Sequence, residues 1–183
     1  MAAEGDTSLA TSMDAFDIEL RDGRRVTVRP IREEDGERLQ DAIRSLSVQS
    51  SYYRFFSPLP ELPRKLLQRA THPDAERELQ LVAVVGEGGQ ETIIGGARYA
   101  AIPETRDCEF AVAIVDAWHG LGLARSLLEM LIEHARARGF ERMEGYVLAT
   151  NTRMLSFARR LGFAEMPSSE GPTVRMVRRD LRG

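Results

Sequence analysis

Gly120 and Gly122 stand two residues apart at the mouth of a regular amphipathic segment in VDAWHGLGLARSLLEMLIEHARARGF, residues 115–140. A tight turn needs at most one glycine. Two of them, followed by Ala124, predict backbone that comes close to something other than its own side chains. The first turn of a helix carries N–H groups without internal acceptors, and the helix dipole makes that end positive. Glycines there remove the Cβ atoms that would hold a phosphate away, so the stretch has the composition of a pyrophosphate cradle. A P-loop would need Lys and then Ser or Thr after the second glycine, where Leu123 and Ala124 stand. A dinucleotide-binding fold would place three glycines near the chain start. Glycine pairs also open helices for packing alone, and the loop by itself leaves both readings open.

The other reactive side chains offer less. Cys108 is the only cysteine. It lies in an apolar strand pattern without a neighbouring His or Asn, which predicts a buried small hydrophobe rather than a nucleophile. One cysteine forms no intramolecular disulfide, which fits a reducing compartment and hence the cytoplasm. His72, His119 and His134 show no metal-ligand spacing, so no metal site is expected.

The elements around the glycine loop follow from periodicity. Residues 1–15 are small, polar and aperiodic and read as a mobile tail. FDIELRDGRRVTVRPI gives two short runs around Asp22-Gly23, a hairpin signal. A helix is expected around Leu39, Ile43 and Leu46, then an aromatic stretch ending in a proline turn, then a short helix in ELPRKLLQRAT. Three strands follow: ELQLVAVVG, ETIIGGARYAAI and DCEFAVAIV. Gly95 and Gly96 mark a bulge or a close approach in the second.

A long helix is expected from Gly120 to about Arg138. Leu123, Leu127, Leu128, Leu131, Ile132 and Ala135 form its apolar face, and Gly139 is its C-cap. FERMEGYVLA reads as a strand and NTRMLSFARRLGF as a helix with Asn151 at its N-cap. PTVRMVRRDL reads as a closing strand. The whole is a mixed α/β domain over residues 16–183.

HGLGLA resembles the cofactor loop of the GNAT family of N-acetyltransferases, and NTRMLSFARRLGF resembles the second half of that family's cofactor site. The resemblance runs from about Val26 to the C-terminus. It implies a largely antiparallel sheet of about seven strands with a V-shaped splay, about four helices, and acetyl-CoA as co-substrate. It further implies that Ala113, Ile114 and Val115 pair their backbone with the pantetheine arm. The run His119, Gly120, Leu121, Gly122, Leu123, Ala124 and Arg125 would hold the pyrophosphate through backbone N–H groups. Asn151 would contact the pantetheine or cap its helix. SLSVQSSYYRFFSPLPEL, CEFAVAIVDAWHGLGLARSLLEMLIEHARARGF and EGYVLATNTRMLSFARRLGF together resemble the catalytic domain of bacterial protein lysine acetyltransferases. Some of those carry a second domain, and this chain is expected to be a stand-alone catalytic domain.

Acetyl transfer needs a neutral amine, and a lysine is neutral in only on the order of one molecule in a few thousand at pH 7. A base must take a proton, and by resemblance Glu109 sits where relatives keep theirs. Period-2 alternation places Glu109, Ala111 and Ala113 on one face of the strand, and Phe110, Val112 and Ile114 on the other. Many relatives carry a tyrosine in the second helix that protonates the leaving thiolate. Ala158 stands there, with Tyr146 and Ser156 as weaker substitutes. His119 and Leu121 also depart from the family's usual residues, and the loss of a cation at 121 would weaken cofactor binding modestly. Phe55 and Phe56 are expected in the core rather than at the acceptor. Glu33, Glu34, Asp35 and Glu76 could attract a cationic acceptor.

The acceptor is expected to be a protein lysine. A small amine and a non-catalytic acetyl-CoA sensor remain as alternatives, and monomer and dimer both stay open. The 183 residues carry a net charge of -3, with 43% apolar and 29% charged residues, which gives no basic bias toward nucleic acid. No apolar run has the length of a membrane span, and no secretory signal is evident at the N-terminus.

Overall fold

A computed structural model describes residues 13–183. The expected tail therefore lies largely outside the described residues; within them, Met13 packs against the main core.

Asp22 and Gly23 turn the chain between β1 (Phe16–Glu19) and β2 (Arg25–Pro30). Gly23 adopts φ 84°, where a Cβ would strain the backbone. Next come α1 (Gly36–Arg44), α2 (Val48–Phe55) and α3 (Arg64–Thr71). The meander is β3 (Glu78–Val85), β4 (Thr92–Ala101) and β5 (Asp107–Ile114). After the glycine loop come α4 (Leu123–Ala137), β6 (Arg142–Leu148), α5 (Thr152–Arg160), β7 (Ala164–Pro167) and β8 (Val174–Asp180). One sheet holds the strands in the order β1-β2-β3-β4-β5-β6-β8-β7, and every neighbouring pair is antiparallel except β5–β6.

The sheet has one strand more than expected, and there is one more α-helix. β7 is four residues long and contains Glu and Pro, so it carries almost no strand pattern. α2 reads VQSSYYRF, poor in strong helix formers. It forms because Ser47 caps it, accepting from the Ser50 N–H at 3.1 Å.

The unbroken apolar run of β3 is explained by burial on both faces. Leu79, Leu81 and Ala83 join the main core beneath α4, while Val82 and Val84 join a smaller core with Ile31 and Ile93. All six predicted apolar positions of α4 are buried in the main core. Truncating one of them, such as Leu131→Ala, would cost about 2–5 kcal/mol.

The helix begins at Leu123 rather than Gly120, because Gly120 and Gly122 have φ of 75° and 89°, outside the right-handed helical region. It ends as expected at Gly139. The Phe140 N–H reaches back to the Ala135 carbonyl at 3.1 Å, and the Gly139 N–H to Arg136 at 3.0 Å.

Candidate active site

Strands β5 and β6 pair over only three residues, Asp107 with Arg142, Cys108 with Met143 and Glu109 with Glu144. Beyond that point β5 stays with β4 and β6 stays with β8. A wedge marks the parting. The Phe110 ring lies over Gly145, where an added Cβ would come within 2.5 Å of Phe110 Cε1, and packs on Phe163 at 5.1 Å between centroids. A glycine inside a strand signals such an approach, and Gly145 could have been read that way.

The opened strands line a cleft of about 740 Å³. Ala113 and Ile114 of β5 face it, as do Tyr146 and Val147 of β6, Asn151, and His119, Gly120, Gly122, Leu123, Ala124 and Arg125 of the loop. Two residues predicted to hold the cofactor do not line it. The Val115 N–H donates to Ile94 at 2.9 Å, and its side chain faces a second cavity. Leu121 packs against the core, and its carbonyl accepts from the Arg21 N–H at 3.1 Å.

The loop is rich in unused donors. The His119 N–H bonds Asp116 O, and the first helical bond of α4 runs from Ser126 to Gly122. Among the described residues, the N–H groups from Gly120 to Arg125 have no acceptor, and Gly122 supplies no side-chain cap. Six such donors, around and before a helix N-terminus, are the groups that would hold an anion. The His119 ring is tied to the end of β5 by Nε2 to Ile114 O at 2.8 Å, so its departure from the family residue serves the backbone. Asn151 caps α5, accepting from the Met154 N–H at 3.2 Å.

Sequence reasoning missed Arg21. It lines the cleft from the β1–β2 hairpin, and its Nε would lie 3.6 Å from a Cβ on Gly122. A cation thus arrives beside the loop from a distant part of the chain, next to the position where Leu121 lacks one. Arg125, Arg153 and Arg160 also line the cleft, and Asp116 is its only carboxylate among the described residues. Asp116 is occupied: Ser47 donates to it through N–H (3.0 Å) and Oγ (2.8 Å), and Ser50 through Oγ (3.0 Å). Burial opposes its ionisation, but these hydrogen bonds win and hold its pKa low.

A second cavity of about 370 Å³ lies between β3–β5 and helices α1 to α3. It meets the cleft at Leu46, Arg54, Ala111 and Ala113, which line both. Glu109 lies two residues back from Ala111 on the same strand face and lines neither cavity. Strand geometry makes that step roughly 7 Å, the span of a short water relay. Glu109 remains accessible to water. Partial desolvation, then the neighbouring Glu144 carboxylate, push its pKa upward, against the pull of Arg98 and Arg54.

Tyr146 lines the cleft and donates to Glu144 Oε1 at 3.5 Å. Ser156 accepts from Arg160 at 3.0 Å and does not line the cleft, and Ala158 is fully buried in the core.

The acidic residues singled out from sequence do not assemble. Asp35 is buried and bidentate with Arg29 at 2.7 and 2.8 Å, which clamps α1 to β2, and Arg29 also reaches Glu91 at 2.8 Å. Glu33 lies 3.3 Å from His72, and none of Glu33, Glu34, Asp35 and Glu76 lines either cavity. The aromatic expectation also needs correction. Phe56 is exposed at the end of α2, and Phe55 lines the second cavity instead of joining the core. The backbone turns left-handed at Phe56, φ 60°, and ends α2 there.

The family model described as acetyltransferase (GNAT) family matches residues 42–163. An acetyltransferase of Pseudomonas aeruginosa is 37% identical over 162 residues, 88% of this chain and 87% of that protein. The crystal structure of the GNAT domain of S. lividans PAT is 33% identical with a TM-score of 0.83, covering 91% of this chain and 96% of that one. The fold is also that of yncA from Salmonella typhimurium, a putative acetyltransferase solved with its cofactor acetyl-CoA. That likeness is 20% identical with a TM-score of 0.66, over 86% of this chain and 95% of the other.

Proposed function

The chain belongs to the acetyltransferase (GNAT) family, and from that premise we propose that it acetylates a protein lysine with Glu109 as general base. The acetyl donor is acetyl-CoA. The observation that carries the reading is the run of free N–H groups from Gly120 to Arg125 beside parted strands. Backbone donors suit a pyrophosphate, and the unpaired edge of β5 suits the amide-bearing pantetheine arm. Arg21 adds a cation at the same place. Residues 16–183 act as one catalytic domain. The cytoplasmic placement rests on the lone thiol, Cys108, which is buried and whose pKa burial pushes up to about 12.

The acceptor enters from the Glu109 face. Water first relays one ammonium proton to the Glu109 carboxylate, and the neutral nitrogen then attacks the thioester carbon where the cavities meet at Ala111 and Ala113. The tetrahedral intermediate gives its second N–H proton to water and collapses, and the C–S bond breaks. The departing thiolate takes a proton from water or from Tyr146, since the buried Ala158 has none to give. A raised Glu109 pKa makes the carboxylate a stronger base.

A protein acceptor is supported by the resemblance of residues 45–62 and 108–163 to the bacterial lysine acetyltransferases. The apolar walls of the second cavity also suit a lysine stem. The small-amine reading has its own support, because about 370 Å³ is enough for a compact molecule. Free-thiol release from acetyl-CoA decides between them, using an acyl-CoA synthetase, a basic protein, spermidine, free amino acids and an aminoglycoside, with wild type beside Glu109→Gln. Turnover on a protein acceptor that falls at least about a hundredfold in the variant supports the reading. Turnover on small amines alone overturns the acceptor assignment. CoA binding without turnover on any acceptor favours a sensor.

A further inference from the structure

Arg54 stands at the junction of the two cavities and lines both. It is half-buried, and its guanidinium lies 4.8 Å over the Phe55 ring. Among the described residues it makes no hydrogen bond and no ion pair. Arg98 and Arg69 line the second cavity with it, and among the described residues Glu78 is the only carboxylate there. That carboxylate is shared: Glu78 Oε1 lies 3.7 Å from Arg98 and 3.6 Å from Arg69, beyond hydrogen-bond reach of both. The rest of the wall is mostly apolar, with Leu39, Ile43 and Leu62 among its residues. Burial, then the charge of Arg98, bring the Arg54 pKa down to about 10, while Glu109 pulls the other way. Arg54 and Arg98 line one mostly apolar cavity, where like charges are costly unless an anion joins them.

We propose that the acceptor carries a carboxylate close to its reacting amine, which Arg54 receives with help from Arg98 while an apolar chain fills the cavity behind. The position of Arg54 sets the spacing: the anion is held where the thioester must lie, not at the far end of the cavity. Two sources present this chemistry. One is an Asp or Glu beside the target lysine in a protein segment, and the other is the α-carboxylate of a free apolar amino acid. Polycations such as spermidine or an aminoglycoside meet the wrong charge. The inference rests on the reading that acetyl transfer occurs where the cavities meet, and it deepens that reading by naming the acceptor's charge.

The test is thiol release at saturating acetyl-CoA with matched acceptors. Lysine peptides flanked by Glu, Gln or Lys form one arm. Leucine and phenylalanine beside their amides form the other, and spermidine serves as the polycation. The expected result is a preference of about tenfold in kcat/KM for the carboxylate-bearing member of a pair, in one arm or the other. That preference falls to near unity in Arg54→Gln and weakens in Arg98→Gln. A preference confined to peptides identifies a protein source, and one confined to free amino acids a small-molecule source. Equal turnover of every matched pair overturns the proposal while acetyl transfer itself stands. A preference undiminished in both variants overturns the assignment to these arginines. If Arg54 serves only to tune Glu109, Arg54→Gln moves the acid limb of the pH profile equally for all acceptors and leaves their ratio intact, which also overturns it. Failure of wild type to release thiol with any acceptor sinks the acetyl-transfer reading and this one with it.

Discussion

The two cavities of this domain are made by different means. The unused donors of the cleft between β5 and β6 lie in the loop Gly120–Arg125, contiguous in sequence and made of backbone N–H groups. The cavity beneath α1 to α3 is built from side chains on β3, β4, β5 and three helices. A backbone-built site tolerates side-chain change, which is why His119 and Leu121 can depart from the family's usual residues without disturbing its donors. A side-chain-built site has no such insulation. Each substitution there alters volume or charge, so the acceptor side can diverge while the cofactor side holds. The two meet at Leu46, Arg54, Ala111 and Ala113. Substitutions on either side of that junction should therefore separate into acceptor defects and cofactor defects.

The largest separation is expected at the proposed base. Glu109→Gln should lower kcat/KM by at least about a hundredfold while CoA affinity, measured by calorimetry, stays within about twofold. The pH profile sharpens this. A base acts when unprotonated, so the rate falls as pH falls through the Glu109 pKa. Desolvation and Glu144 raise that pKa, so the acid limb should lie above that of an ordinary solvated glutamate and vanish in the variant. A limb that survives Glu109→Gln would assign the base elsewhere.

On the cofactor side the matching change is Gly122→Val. Its φ of 89° strains any side chain, and a branched one would also press on Arg21. CoA should bind about 30-fold more weakly, on the order of 2 kcal/mol, while the KM of the acceptor changes little. A parallel loss in acceptor KM would show that the two sides are not independent.

The same contrast explains what the sequence discloses. The α4 face and its end at Gly139 are periodic and local, so they are legible. So is the glycine loop, because its chemistry lies in consecutive residues. Arg21, Arg54 and Arg98 are separated by tens of residues and meet the site only because β4 lies beside β5 and the β1–β2 hairpin reaches the loop. Nothing in their local pattern distinguishes them from solvated arginines. α2 escaped because its stability depends on Ser47 and Asp116, 69 residues apart. Asp35 misled for the converse reason: a helix-start acid looks exposed until a buried arginine on β2 claims it.

Arg21 tests whether the missing cation at 121 is replaced from outside the matched family span, which begins at residue 42. Arg21→Gln should weaken CoA about tenfold, and 3′-dephospho-CoA by the same factor, but leave pantetheine unaffected. A loss confined to CoA would move Arg21 to the 3′-phosphate. No loss with either would reduce it to a packing residue over Gly122.

The smallest effect probes the seam between the cavities. Asp116 lies in the cofactor cleft yet accepts three hydrogen bonds from Ser47 and Ser50 at the start of α2, the helix that carries Arg54 and Phe55 to the acceptor side. Ser47→Ala removes the helix cap and one of those bonds but leaves the Ser47 N–H contact. The cap alone is worth about 1 kcal/mol, which for a chain of this length lowers Tm by about 2–4 °C. Because α2 holds acceptor groups and not the loop donors, acceptor KM should rise about two- to threefold while CoA affinity stays near wild type. If CoA affinity falls by the same factor, the Asp116 clamp transmits order in both directions, and the cofactor loop depends on α2 as much as α2 depends on it.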